Sequence, residues 1–214
     1  MAGSDREREK RAAAEAAAGL VGTGMTVGLG TGSTVAHLLP ALAGRSLELR
    51  CVATSPATEE AARRLGLTVE PFDRLERLDI AIDGADQIDP AGWVVKGGGG
   101  AHTREKIVAR AAERFIVIAS SDKLVESIGA PVPLELLAYG VQATLRALAP
   151  TELRDAPRSP DGGLIADYLG PVDDPAELAG RLSGTPGVID HGLFEPELVD
   201  QVIVAEGSSV RRLG

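Results

Sequence analysis

Short β-branched and aliphatic runs alternate with helix-patterned segments through the first half of the 214-residue chain, and that alternation limits the fold most. Strands are expected at Thr26–Leu29, Leu47–Val52, Thr68–Glu70, Leu78–Ile82, Trp93–Val95 and Phe115–Ala119. Helices are expected at Arg6–Gly19, Ser33–Leu42, Pro56–Leu65 and Thr103–Glu113. Such a repeat implies a mainly parallel sheet whose two faces are covered by helices. Ser4 with Glu7 suggests a capping box for the first helix. Pro56 suits a first helical position behind Ser55 as cap, whereas Pro40 should kink or shorten its helix.

After Lys123 the pattern becomes α+β. Pro131 and Pro133 punctuate the chain, a helical pattern covers Tyr139–Ala149, and Pro157–Gly163 is turn-rich. A strand at Leu164–Leu169, a helix at Pro175–Leu182 and a strand around Val188–Leu193 follow, and the β-rich run Val199–Ala205 can rejoin the first sheet. The expectation is a Rossmann-like α/β domain over residues 1–129 and 200–214. Residues 130–199 would form a smaller, ferredoxin-like α+β domain.

The net charge of -9 argues against nucleic acid and anionic lipid, since phosphate backbones are bound by clustered Lys and Arg. No apolar stretch is long enough for a membrane span. Glu15 interrupts the Ala-rich segment that would otherwise suggest a signal peptide, so a cytoplasmic location is expected. Cys51, the single cysteine, reads as a buried thiol.

Ligands of open α/β sheets bind beyond the carboxyl ends of the strands. Five expected strand ends carry small, polar or charged groups: Gly30-Thr31-Gly32-Ser33-Thr34, Thr54-Ser55, Asp83-Gly84-Ala85-Asp86, Lys96-Gly97-Gly98-Gly99-Gly100 and Ser120-Ser121-Asp122-Lys123. Alone, the first is a tight turn with Ser33 or Thr34 as cap; with the others it suits a small phosphate at a helix N-terminus. Its spacing fits neither the dinucleotide fingerprint nor a Walker loop. Asp83 and Asp86 can lie on one turn, either as turn formers or as ligands of sugar hydroxyls. Four consecutive glycines after Lys96 permit close backbone approach. Thr103 reads as the next helix cap, placing Glu105 in the first turn, where an acid either complements the dipole or acts as a base. His37, His102 and His191 lack ligand spacing, so no metal is expected.

In this order the loops resemble the type A ribose-5-phosphate isomerases. The resemblance rests on Gly-Leu-Gly-Thr-Gly-Ser-Thr (28–34), Thr-Ser-x-Ala-Thr-Glu-Glu (54–60), Asp-Gly-Ala-Asp (83–86) and Lys-Gly-Gly-Gly-Gly-x-x-x-Arg-Glu-Lys (96–106). Pro-Val-Pro-Leu-Glu (131–135) and Pro-Gly-Val-x-x-x-Gly-Leu-Phe (186–194) extend it over nearly the whole chain. It implies interconversion of ribose 5-phosphate and ribulose 5-phosphate by a homodimer or homotetramer, with the 130–199 domain as the oligomer interface, and without cofactor or metal. Glu105 would accept the proton, Asp83 would assist ring opening and Lys96 would stabilise the oxyanion. Substrate would be bound by Thr31, Gly32, Ser33, Thr34, Asp83, Gly84, Ala85, Asp86, Lys96, Gly97, Gly98, Gly99 and Lys123, with Lys10 near the phosphate. Two positions depart from the pattern: His102 replaces a usually small or aliphatic residue, and Gly163 stands where Asn is common. The motifs of a related deaminase or coenzyme A transferase are not visible. A sugar-phosphate sensor would need a DNA-binding segment that is also not visible.

Overall fold

The computed structural model describes Ala2–Gly214, without the side chains of Ala2, Ser4 and Arg74. Helix α1 (Ala2–Ala18) leads to β1 (Thr26–Leu29), α2 (Val35–Ala43), β2 (Arg50–Ala53), α3 (Pro56–Arg64) and β3 (Ile80–Gly84). Next come β4 (Gln87–Ile88), β5 (Val94–Val95), α4 (His102–Ala111), β6 (Phe115–Ser120), β7 (Val132–Leu136), α5 (Val141–Ala147) and β8 (Thr151–Leu153). The chain ends with β9 (Leu164–Tyr168), α6 (Pro175–Ser183), β10 (Val188–His191), β11 (Leu193–Phe194), β12 (Gln201–Glu206) and β13 (Ser209–Leu213). It divides into two compact units, one of residues up to Ala85 with Arg104–Lys123 and Glu197–Gly214, the other of Asp86–Thr103 with Leu124–Pro196. Residues 86–103 and 124–129, assigned to the first domain from sequence, thus fall with the second unit, and residues 197–199 fall with the first.

The first unit is a Rossmann-like sheet ordered β13-β12-β6-β3-β1-β2, parallel except for the β12–β13 edge hairpin. All six residues of β6 are buried, as expected of a parallel strand covered on both faces. Val27, Leu29, Ile80, Ile82, Ile116 and Ile118 share a core with buried residues of α1 and α2. On the alternate face α4 comes so close that a Cβ at Gly28 would lie 2.4 Å from Val108 Cγ1. Leu38, Leu39 and Leu42 anchor α2 in the core, and truncating one such leucine costs about 2–5 kcal/mol. Their packing carries the helix through Pro40, which lies on the exposed side, so the helix is not shortened there.

Several local expectations need correction. The first helix begins at Ala2, which places Ser4 inside it rather than at its cap; the Ser4 side chain lies outside the described residues. The expected strand at Thr68–Glu70 is reduced to one bridge between Val69 and Cys51. β3 is shifted toward its carboxyl end, so Asp83 lies within the strand instead of the following loop.

In the second unit β7-α5-β8-β9-α6-β10 form an antiparallel sheet ordered β10-β7-β9-β8. That is the βαββαβ order of a ferredoxin-like fold. Val132, Leu134 and Leu136 pack with Ala166, Tyr168, Leu178 and Leu182. Asp174 caps α6 by accepting from Ala176 N and Glu177 N at 2.9 and 3.1 Å. The expected strand at Trp93–Val95 belongs to a separate antiparallel sheet, β11-β5-β4. The connection from Gln87 to Val94 is too short for a parallel crossover, and a turn held by Asp89 closes the hairpin. Among the described residues, no helix is long and apolar enough to cross a membrane.

Candidate active site

In the first unit the chain passes from β1 to β2 on one side and then to β3 on the other. β1 and β3 therefore flank the point where strand order reverses, the usual ligand position in such sheets. Gly30–Thr34 and Asp83 lie at these strand ends. Asp83 is buried, and its Oδ1 accepts from Thr31 N at 3.0 Å and Gly84 N at 2.7 Å. A Cβ at Gly30 would lie 1.9 Å from Asp83 Cγ, so only glycine lets the loop close on the aspartate. Two threonines from the next block support it. Thr54 Oγ1 shares a 2.8 Å hydrogen bond with Thr31 Oγ1, and Thr58 Oγ1 donates to Gly30 O at 2.9 Å. Ser55 caps α3 as expected, accepting from Thr58 N at 3.2 Å. Thr34 occupies the N-cap position of α2 but makes no capping bond, while Gly32 has a φ of 111°.

Glu105 is buried in the first turn of α4. Lys123 ends a 3₁₀ turn, Ser121–Lys123, directly after β6. Glu9 of α1 anchors this turn in a way the sequence did not signal. Its carboxylate accepts from Ser121 N at 3.1 Å, Ser121 Oγ at 2.9 Å and Gly207 N at 2.7 Å. The Gly207 amide is the main cause that holds Glu9 below the usual carboxylate pKa. Lys10, one residue on, pairs with Glu7 at 2.7 Å, and His37 Nε2 lies 2.9 Å from the same carboxylate.

Within the second unit, Asp86 and Lys96–Gly100 form a different arrangement. Asp83 and Asp86 do not share a turn, because β3 runs through Gly84. Asp86 Oδ2 accepts from Gly98 N at 2.8 Å, and a Cβ at Gly98 would lie 2.8 Å from Asp86 Oδ1. Gly97 has a φ of 109°, and its Cβ would meet His102 Nδ1 and Pro133 Cβ, each at 2.7 Å. Lys96 is buried with Nζ 5.5 Å from the Phe194 ring centroid, within cation–π range. Gly98 and Gly99 are exposed at the loop tip, whereas His102 is fully buried at the start of α4. Thr103 is not a cap: it lies inside α4 and donates its hydroxyl to Glu135.

Sequence reasoning missed Arg154. Its guanidinium donates twice to Asp167, both at 2.6 Å, and also to Gly97 O at 2.9 Å and Gly98 O at 3.2 Å. Asp167 is the main reason that the Arg154 pKa is raised still further. The two side chains lie 13 positions apart and meet through the pairing of β8 with β9. Among the described residues no three His, Cys, Asp or Glu side chains are grouped as metal ligands.

Residues 50–209 match the family of ribose 5-phosphate isomerase A (phosphoriboisomerase A). The chain belongs to that family. Ribose-5-phosphate isomerase A of Caulobacter vibrioides is 43% identical over 221 residues, covering 96% of this chain and 97% of its own. The family member from Thermosynechococcus vestitus is 42% identical, covering 92% of this chain and 91% of its own. The crystal structure of ribose 5 phosphate isomerase A from Neisseria gonorrhoeae matches with a TM-score of 0.93 at 32% identity, covering 97% and 96% of the two chains. A D-ribose-5-phosphate isomerase in complex with phospho-erythronic acid matches with a TM-score of 0.91 at 33% identity, covering 97% of this chain and 98% of its own.

Proposed function

We propose that this chain interconverts D-ribose 5-phosphate and D-ribulose 5-phosphate through an enediolate. Membership of the isomerase family along nearly the full length carries this reading. The relative bound to phospho-erythronic acid supports it chemically. A four-carbon aldonate phosphate ends in a planar carboxylate, whose two oxygens resemble those of an enediolate.

Glu105 removes the proton from C2, and the electron pair forms the C1–C2 double bond of the enediolate as the carbonyl pair moves onto O1. The same carboxyl returns the proton to C1 as the C2 hydroxyl gives up its proton to become the ketone, and that proton ends on O1. One group serves both steps because the carbons are adjacent. Asp83, with Oδ1 fixed by two amides, moves a proton between the anomeric hydroxyl and ring oxygen to open the furanose. Lys96 opposes the developing negative charge, a preorganised electrostatic role. The Thr31–Thr34 loop and Lys123 hold the phosphate end; Asp86 and Gly97–Gly99 border the sugar.

The finer assignments follow from the same reading: a cytoplasmic enzyme of the non-oxidative pentose phosphate pathway, acting as a homodimer or homotetramer. Exposed Leu137 and Ile189 lie on the adjoining β7 and β10 segments and, with exposed Tyr139, support an interface on the second unit.

The deciding experiment is an isomerase assay on wild type and Glu105→Gln. Wild type converts ribose 5-phosphate, and the variant loses about 10²–10⁴-fold in kcat, the range for a positioned general base. Undiminished turnover in the variant would remove Glu105 from its role. Failure of the wild type to convert the sugar phosphate would remove the activity itself.

A further inference from the structure

The Pro131–Glu135 motif has no role in the chemistry above, yet it ends in a carboxylate with very little solvent contact. Glu135 is 1% exposed in the middle of the second unit's sheet. Thr103 Oγ1 donates to its Oε2 at 2.5 Å, and Ser159 Oγ donates to its Oε1. The serine is itself held, since Ser159 Oγ accepts from Gly163 N at 3.0 Å and Asp161 N at 3.2 Å. Space for the carboxylate depends on Gly163: a Cβ there would lie 2.3 Å from Glu135 Oε1 and 2.5 Å from its Cγ.

Thr103 stands two residues before Glu105 on α4. The helix is entered from Gly97–Gly100, a run with little intrinsic rigidity, and Thr103 does not cap it. A side-chain anchor is therefore needed to fix the start of the helix. Two residues span roughly 200° around a helix axis. A bond at Thr103 thus sets the rotation of the turn that aims Glu105.

We propose that Glu135 is a positioning residue of the isomerase: through Thr103 it fixes the first turn of α4 and aligns the Glu105 carboxylate with the proton it moves. Gly163 and Ser159 set the place of Glu135. This rests on the reading of Glu105 as the base.

The test compares Thr103→Val, Thr103→Ser and Gly163→Ala with wild type in the ribose 5-phosphate assay, each with its thermal midpoint recorded. Glu105→Gln is assayed alongside. Thr103→Val should lower kcat about tenfold or more with KM within about twofold, because misalignment of a proton-transfer group acts on the chemical step. Thr103→Ser keeps the hydroxyl and should recover most of that loss. Gly163→Ala, which leaves α4 untouched, should displace Glu135 and lower kcat in the same way. Wild-type kcat in folded Thr103→Val or Gly163→Ala overturns the proposal. So does an equal loss in Thr103→Ser and Thr103→Val, or a loss fully accounted for by the unfolded fraction. Undiminished turnover in Glu105→Gln instead overturns the reading of the base.

Discussion

Both glycine loops run against an aspartate, but they are held in different ways. Gly30–Thr34 is positioned by its neighbours in a parallel sheet: Gly30 N bonds to Ile82 O at 3.0 Å, Thr31 N to Asp83, and Thr58 Oγ1 to Gly30 O. Its geometry follows from strand register. Lys96–Gly100 leaves its sheet at once and depends on side chains, Asp86 against Gly98 and Arg154 against two carbonyls. A loop set by register should tolerate loss of a supporting side chain but not an added atom. A clamped loop should fail when its clamp is cut.

The largest effect is therefore expected from Gly30→Ala. The new methyl would have to displace Asp83, since its Cβ would lie 1.9 Å from Cγ and 2.0 Å from Oδ1. With Asp83 in its proposed ring-opening role, a shift of about 1 Å costs on the order of a hundredfold, and kcat should fall by at least that much while the core stays folded. Turnover within twofold of wild type would show that loop and aspartate are not interlocked.

Arg154→Met probes the other loop. It leaves Asp167 without its bidentate partner and removes a donor from each of two loop carbonyls, Gly97 O keeping the Gly100 amide at 3.0 Å. Both partners are about four-fifths buried, with side chains 20% exposed, so a loss of about 1–3 kcal/mol is expected. KM should rise with it. Arg154→Lys should not restore the loop, because an ammonium cannot reproduce the planar fork. Urea unfolding and KM measurements check this. Unchanged values would mean that the glycine run holds itself, as the first loop does.

The same contrast explains what was legible in the sequence. β1, the Ser55–Pro56 helix start and the polar strand ends depend on residues close together in the chain, and local chemistry predicted them. The clamps do not: Arg154 meets Gly97 across 57 positions, and Glu9 meets Gly207 across 198. β7 was hidden by Pro133, which reads as a breaker for a central strand. There the carbonyl of Pro133 accepts from Gly192 N at 2.7 Å, just past the end of β10. Its missing N–H therefore falls where the ladder is already ending. The hairpin of β4 and β5 was legible in principle, because the five residues between them cannot span a parallel crossover.

Acid tests the first unit's own anchors and should produce the smallest effect. Asp79 accepts from Thr26 N at 2.6 Å and Thr26 Oγ1 at 2.8 Å, and the Thr26 amide is the main cause of its lowered pKa. Glu9 is lowered chiefly by the Gly207 amide. With folded pKa values below the unfolded ones, both contribute fully above about pH 4–4.5. Their contribution is lost as pH falls through the folded values, because the unfolded chain then binds the proton first. Arg154 keeps its charge throughout this range, so its clamp on the second loop does not titrate through the guanidinium. Glu9→Gln should therefore flatten part of the fall in stability between about pH 5 and pH 3. At neutral pH it should cost on the order of 1 kcal/mol, or about 2–4 °C in Tm. An acid limb as steep as wild type would show that the three hydrogen bonds to Glu9 add nothing beyond those that its amide can make. The Ser121–Lys123 turn would then owe its stability to the sheet alone.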